Sequence, residues 1–166
     1  MAAKNLEELF EHDLRDTLDA ERQILKALPK MAKAADSEEL QSAFLEHKSV
    51  TERQVERLET IFEGLGKAAR GKHCHGMEGL LKEGEELIEK EEPGPALDAA
   101  LIGAAQKVEH YEIAAYGTLA TYAKLLENDD ALTLLTETLE EEKQTDETLT
   151  GLASEINLMA EQEAAE

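Results

Sequence analysis

Residues 97–122 read LDAALIGAAQKVEHYEIAAYGTLATY. Stepping through them by threes and fours gives Leu97, Leu101, Ala105, Val108 or Glu109, Glu112, Ala115 or Tyr116, Leu119 and Tyr122. That spacing is one face of an amphipathic helix, and Pro95 just ahead of it suits a first helical turn. Halfway along, the apolar stripe is broken by acids. A carboxylate facing a helix-packed interior is costly unless a cation or hydrogen bonds compensate it.

Three other stretches repeat the pattern. From about Asn5 to Ala35 the stripe is Leu6, Leu9 or Phe10, Leu14, Leu18, then Glu21, then Leu25, Leu28 and Ala32; Pro29 within it predicts a bend or a weak point. Asp36 or Ser37 can cap a second helix whose inner face reads Leu40, Phe44, His47, Thr51, Gln54, Leu58, Ile61 or Phe62, and Leu65. Gly64 and Gly66 end it. After a break at Glu127–Asp130 comes Leu132, Leu135, Leu139, Glu142, Asp146, Leu149, Leu152 or Ala153, and Ile156, with the tail AEQEAAE predicted to fray. Between Gly66 and Pro95 only a short helical pattern occurs, Met77, Leu80/Leu81 and Leu87/Ile88.

No alternating strand pattern is found, so the expected class is all-α, as one domain over 1–166 with helices near 5–35, 38–64, 75–91, 95–127 and 130–161. Two tight hairpins joined by a long connection predict a ferritin-like four-helix bundle with one crossover carrying the short extra helix. At about 1.5 Å per residue, Glu21 falls level with Thr51 and Gln54, and Glu112 with Thr145 and Asp146. The halves echo each other, Phe44-x-x-His47-x-x-x-Thr51 against Leu139-x-x-Glu142-x-x-x-Asp146.

The charge balance is lopsided, 38 Asp and Glu against 17 Lys and Arg, a formal −21. That argues against phosphate-backbone binding, which needs clustered cations, and against an anionic membrane surface. No run nears the roughly 18 apolar residues of a membrane span, and the start, MAAKNLEELFEHD, lacks a signal-peptide core. With a lone cysteine, Cys74, there is no internal disulfide, and a cytoplasmic protein is expected.

The interruptions converge in depth: Glu21, His47, Glu109, Glu112, Glu142 and Asp146 form a candidate metal set, with Glu112 continuing the stripe better than Glu109. Oxygen donors with one imidazole suit iron or manganese better than zinc. Iron, as one ion or a pair, is the first expectation and manganese the second. The competing reading is an architectural polar layer in which these groups satisfy one another without metal. Arg22 and Lys107 are the cations that flank the stripe. His110 is a candidate ligand or supporting donor and Tyr116 a candidate redox-active or hydrogen-bonding tyrosine, though Tyr111, Tyr116 and Tyr122 each read more simply as packing aromatics. His73-Cys74-His75 could hold a soft metal, but its place before a helix favours a surface loop. Phosphate-binding glycine loops, Gly-x-Ser-x-Gly and paired-cysteine zinc patterns are missing.

The stretch from Asp98 to Leu126, DAALIGAAQKVEHYEIAAYGTLATYAKLL, then LLTETLEEEKQTDETLTGLA, resembles the YciF/YciE group of bacterial stress-associated ferritin-like proteins. So do Cys74-x-x-Met77-Glu78-Gly79-Leu80 and the opening LEELFEHDLRDTLDAERQ, and the likeness covers nearly the whole chain. The resemblance implies a ferritin-like bundle, a homodimer, and a carboxylate metal site using Glu21, His47, Glu109, Glu112 and Glu142, with Glu78 more remote. Two departures stand out: Phe44 occupies the Glu position before His47, and no histidine follows Glu142 at Thr145. Together the readings point to a stress-associated iron-binding protein able to oxidise Fe(II) with oxygen or peroxide. The alternative is a non-enzymatic structural protein.

Overall fold

Five α-helices make up the computed structural model, which describes residues 3–163. They are α1(Leu6–Ala34), α2(Glu38–Gly64), α3(His75–Lys90), α4(Pro95–Leu125) and α5(Asp129–Glu163), with no strand among the described residues. Each helix start is built by its local sequence. The Asn5 side chain accepts the Glu8 N–H, Ser37 accepts Leu40 N–H, and Asn128 accepts Ala131 N–H at 3.0 Å. Pro95 opens α4.

Helix α1 runs through Pro29 to Ala34, as its stripe implied; Pro29 sits on the exposed face and the Ala35 N–H still reaches the Met31 carbonyl at 3.0 Å. One expectation about a helix end needs correction. Helix α5 continues to Glu163 instead of fraying from Ala160, since Ala, Glu and Gln are strong helix formers with no breaker among them. Residues 164–166, like Met1 and Ala2, lie outside the described part.

Cross-helix contacts give the directions. Arg22 meets Glu59 between α1 and α2, and Gln106 meets Thr150 between α4 and α5. Arg57 meets Glu137 between α2 and α5, while Asp36 meets Asp98 and Tyr111 meets Asp16 between α1 and α4. Short turns make α1–α2 and α4–α5 antiparallel, and successive contacts run in opposite senses along α2 and α5 (Gln54 to Glu142, Arg57 to Glu137) and along α1 and α4 (Asp16 to Tyr111, Asp36 to Asp98). Helices α2 and α4 therefore run the same way. The chain must travel the length of the molecule between them, and α3 does this while packing on α1 and α4.

The apolar core is divided. One cluster gathers Ile24, Leu28, Phe44, Leu101, Val108 and Leu149 with Met77 from α3. The other gathers Phe10, Leu14, Leu18, Leu58, Phe62, Tyr116, Leu119 and Leu135. Ile24 is buried where the spacing had pointed to Leu25, and Thr138 is more deeply buried than Leu139. The two clusters stop on either side of one layer of polar side chains.

Asp98 is the polar clasp between the hairpins, and the apolar pattern gave no hint of it. It is buried, and its two carboxylate oxygens accept the Asp36 and Ser37 backbone N–H groups, each at 2.8 Å. Removing the carboxylate strands two donors in the α1–α2 turn. Asp98→Ala is expected to lower unfolding free energy by roughly 2–4 kcal/mol, with Asp98→Asn losing about half of that because one acceptor oxygen remains. Urea unfolding is the measurement: the midpoint should fall while the slope stays constant.

Candidate metal centre

Between the two apolar clusters lie Glu21 of α1, His47, Thr51 and Gln54 of α2, Glu109 and Glu112 of α4, and Glu142 of α5, all buried. One donor atom from each of His47, Glu109, Glu112 and Glu142 lies within 4.8 Å of the others. Glu109 and Glu112 both point inward, because positions three apart share a helix face. The spacing had left open which of them did so.

Glu21 borders this group. Its Oε1 accepts the Tyr116 hydroxyl in a short hydrogen bond, and the charge of Glu142 acts on its carboxyl. Gln54 Nε2 donates to Glu142, and Thr51 turns its hydroxyl back to the His47 carbonyl at 3.1 Å. Asp146, expected in the set, stands apart. It is half-buried, 3.2 Å from both Gln106 Nε2 and His110 Nε2, on the outer side of the α4–α5 seam. His110 is exposed and so does not face the layer.

The flanking cations also differ from expectation. Arg22 and Lys107 turn outward to Glu59 and Glu83. Arg57 is half-buried, but it is spent on Glu137 and Glu141 at the α2–α5 edge, 2.8 and 2.6 Å away. Among the described residues, no cationic side chain is buried with the four glutamates.

That imbalance sets the protonation of the layer. Burial is the main cause in every case. It pushes Glu21 up to about 8, with the charge of Glu142 adding to it, and Glu142 up to about 7, opposed by hydrogen bonds from Glu109 and Gln54. Glu109 and Glu112 rise well above the carboxylate range, driven further by their acidic neighbours. Burial drops His47 to about 4. The 3.6 Å approach of His47 Nδ1 to Glu109 is therefore a contact between neutral groups, not an ion pair.

Hydrogen bonding within the layer is incomplete. Glu21 Oε2, His47 Nε2, Gln54 Oε1, Glu109 Oε2, both Glu112 oxygens and Glu142 Oε2 are buried without a protein partner. Buried polar atoms are rarely left so, and five carboxylate oxygens, one imidazole nitrogen and one amide oxygen in a single layer fit a divalent cation. Phe44 is fully buried beside His47, a dry wall at the position of the absent glutamate. On the α2–α5 side a pocket of about 200 Å³, lined by Ala43, Phe44, His47, Val50, Thr145 and Leu149, opens beside the imidazole.

Cys74 was expected in a surface loop but is buried. It caps α3 and lies 3.0 Å from the Tyr111 hydroxyl, which also donates to Asp16 at 3.3 Å.

These features define a class: an all-helical protein whose core is cut by a buried carboxylate–imidazole layer. The chain belongs to the family DUF892, a domain of unknown function, which it matches over residues 5–163. It is 50% identical to Protein YciF of Escherichia coli K12 over 99% of this chain and all of that protein, which makes it a YciF-type protein, as the resemblance implied. The crystal structure of the E. coli stress protein YciF matches at a TM-score of 0.90 and 48% identity, covering 93% of this chain and 98% of that one. YcfI of Rhodopseudomonas palustris matches at 0.86 and 42%, covering 89% and 94%. A protein of Xanthomonas campestris pv. campestris shares the fold at 0.79 with 20% identity, over 96% and 99%. Among the described residues no helix is long and apolar enough to cross a membrane.

The layer makes metal-free stability pH-dependent. Each glutamate holds its proton in the fold but loses it in the unfolded chain above the ordinary 4.5. Their contribution is therefore complete below that value and drains away as pH rises through about 7 and 8. His47 acts oppositely: its contribution is full above the ordinary 6.5 and is lost as pH falls to about 4. From pH 6.5 to 8.5 the metal-free melting temperature should fall. Glu112→Gln should raise it and flatten the slope, and a calorimetric pH series would reveal a wrong assignment as an unchanged slope.

Proposed function

We propose that this chain is a ferritin-like bundle that holds iron in its buried polar layer and serves in stress defence. The reading rests above all on the seven unpartnered donor atoms of the layer, clustered where no cationic side chain balances four glutamates. The fold supports it: two antiparallel hairpins with a long crossover are the ferritin-like arrangement, in which carboxylates and histidines from facing helices build metal sites. The setting follows the E. coli relative, which is a stress protein.

His47, Glu109, Glu112 and Glu142 would hold one ion, with Glu21 the carboxylate nearest a second position. Oxygen donors with a single imidazole favour iron, then manganese. Iron so held supplies one-electron redox chemistry toward oxygen or peroxide. The chain's residues prepare the site. Burial keeps His47 neutral, the state in which its nitrogen can ligate. The Gln54 amide orients Glu142 and the Tyr116 hydroxyl orients Glu21, so neither carboxylate is free to swing. The paired apolar clusters exclude bulk water, which strengthens every charge interaction between them.

Capture of a divalent ion must expel protons from glutamates that hold them at neutral pH, so affinity should rise from pH 6 to 8. Anaerobic Fe(II) titration is expected to give saturable binding with proton release, and admitting oxygen should develop a ferric–carboxylate absorption band. Glu109→Gln combined with Glu142→Gln should weaken binding by more than the roughly 10–100-fold that follows loss of a supporting hydrogen bond. Metal-free protein as purified, with no saturable uptake of iron or manganese, would instead establish the layer as architectural.

A further inference from the structure

A second donor cluster lies outside the core, at the start of α3. We propose that His73, His75 and Glu78 form a surface site for a divalent transition-metal ion of the zinc class, independent of the buried layer. The three donors come together through local geometry. Cys74 is in extended backbone, φ −90° and ψ 98°, so residues 73 and 75 project to one side while the Cys74 thiol turns to the other, into the core. Glu78 follows His75 by three residues and so lies on the same helix face.

The separations suit one ion. His73 Nε2 lies 3.1 Å and His75 Nδ1 3.4 Å from the same oxygen, Glu78 Oε2, and all three donors are within 4.8 Å of one another. Ligands at about 2.0–2.1 Å from a tetrahedral ion stand about 3.3 Å apart. Three protein ligands leave a fourth position for water. The other nitrogen of His73 faces Asp19 Oδ2 at 3.6 Å, the carboxylate-behind-imidazole arrangement that orients metal-bound histidines.

The backbone is held in place before any ion arrives. Cys74 N–H donates to Asp19 at 2.9 Å, and Gln23 Nε2 donates both to Asp19 at 2.7 Å and to the Cys74 carbonyl at 3.1 Å. A Cβ at Gly76 would come 2.8 Å from the Tyr111 ring, so the turn lies hard against α4. The three donor side chains themselves are exposed on this fixed backbone.

Zinc(II) titration calorimetry on the full chain tests this. The parent should take up one equivalent that the His73→Ala/His75→Ala protein does not, and Glu78→Gln should weaken that equivalent about tenfold or more. These side chains are exposed, and unchanged circular dichroism would show that the variants fold. The difference should persist in the Glu109→Gln/Glu142→Gln background, which separates it from the buried layer. Superposable isotherms for parent and double variant, or a difference only at millimolar zinc, would overturn the proposal.

Discussion

Four glutamates in a helical core with no cation among them constrain everything else about this protein. In water their mutual repulsion would be slight; enclosed, it is severe, and the fold tolerates them only with protons or a counter-ion in place. The surrounding structure shows the consequence. Two apolar clusters sit on either side of the layer instead of merging across it. Tyr116 and Gln54 lend hydrogen bonds to two of the acids, while seven buried polar atoms of the layer go unmatched. Replacing such a layer with leucine would give a drier and more stable core.

The architecture carries the layer by combining two kinds of neighbour. Within each hairpin the helices meet along their lengths through a short turn. Between hairpins the contact is made through particular residues: Asp98 at one end, Arg57 with its pair of glutamates at the α2–α5 edge, and the Tyr111–Asp16 contact between α1 and α4. Helices α2 and α4 run in the same direction only because the α3 segment returns the chain. That segment is far from idle, since Met77 enters one core cluster and Cys74 anchors its start.

Much of this was legible from spacing. The four stripes, their polar interruptions and the all-helical class follow from a 3.6-residue period that tertiary contacts rarely disturb over 25 or more residues. Glu21, His47, Glu112 and Glu142 fall on those stripes, and Glu109 is the neighbour that a wider face admits. The losses have a common cause: periodicity gives the face of a residue but not its partner. Asp146 sits on a plausible face yet is turned to Gln106 and His110. Arg57, Asp98 and Cys74 act through residues 37 to 84 positions away, which no local pattern encodes. Choices between adjacent candidates, Ile24 over Leu25 and Thr138 over Leu139, depend on how a helix is rolled about its axis, and that is decided by its neighbours.

The pocket between α2 and α5 gives the layer a sidedness that the stripes do not. Its lining joins apolar Ala43, Phe44, Val50 and Leu149 to two outer acids, Glu46 and Glu141, and His47 is the layer residue that meets it. Anything that enters from that flank therefore meets the imidazole edge together with Glu46 and Glu141, while Glu21, Glu109, Glu112 and Glu142 stay behind it.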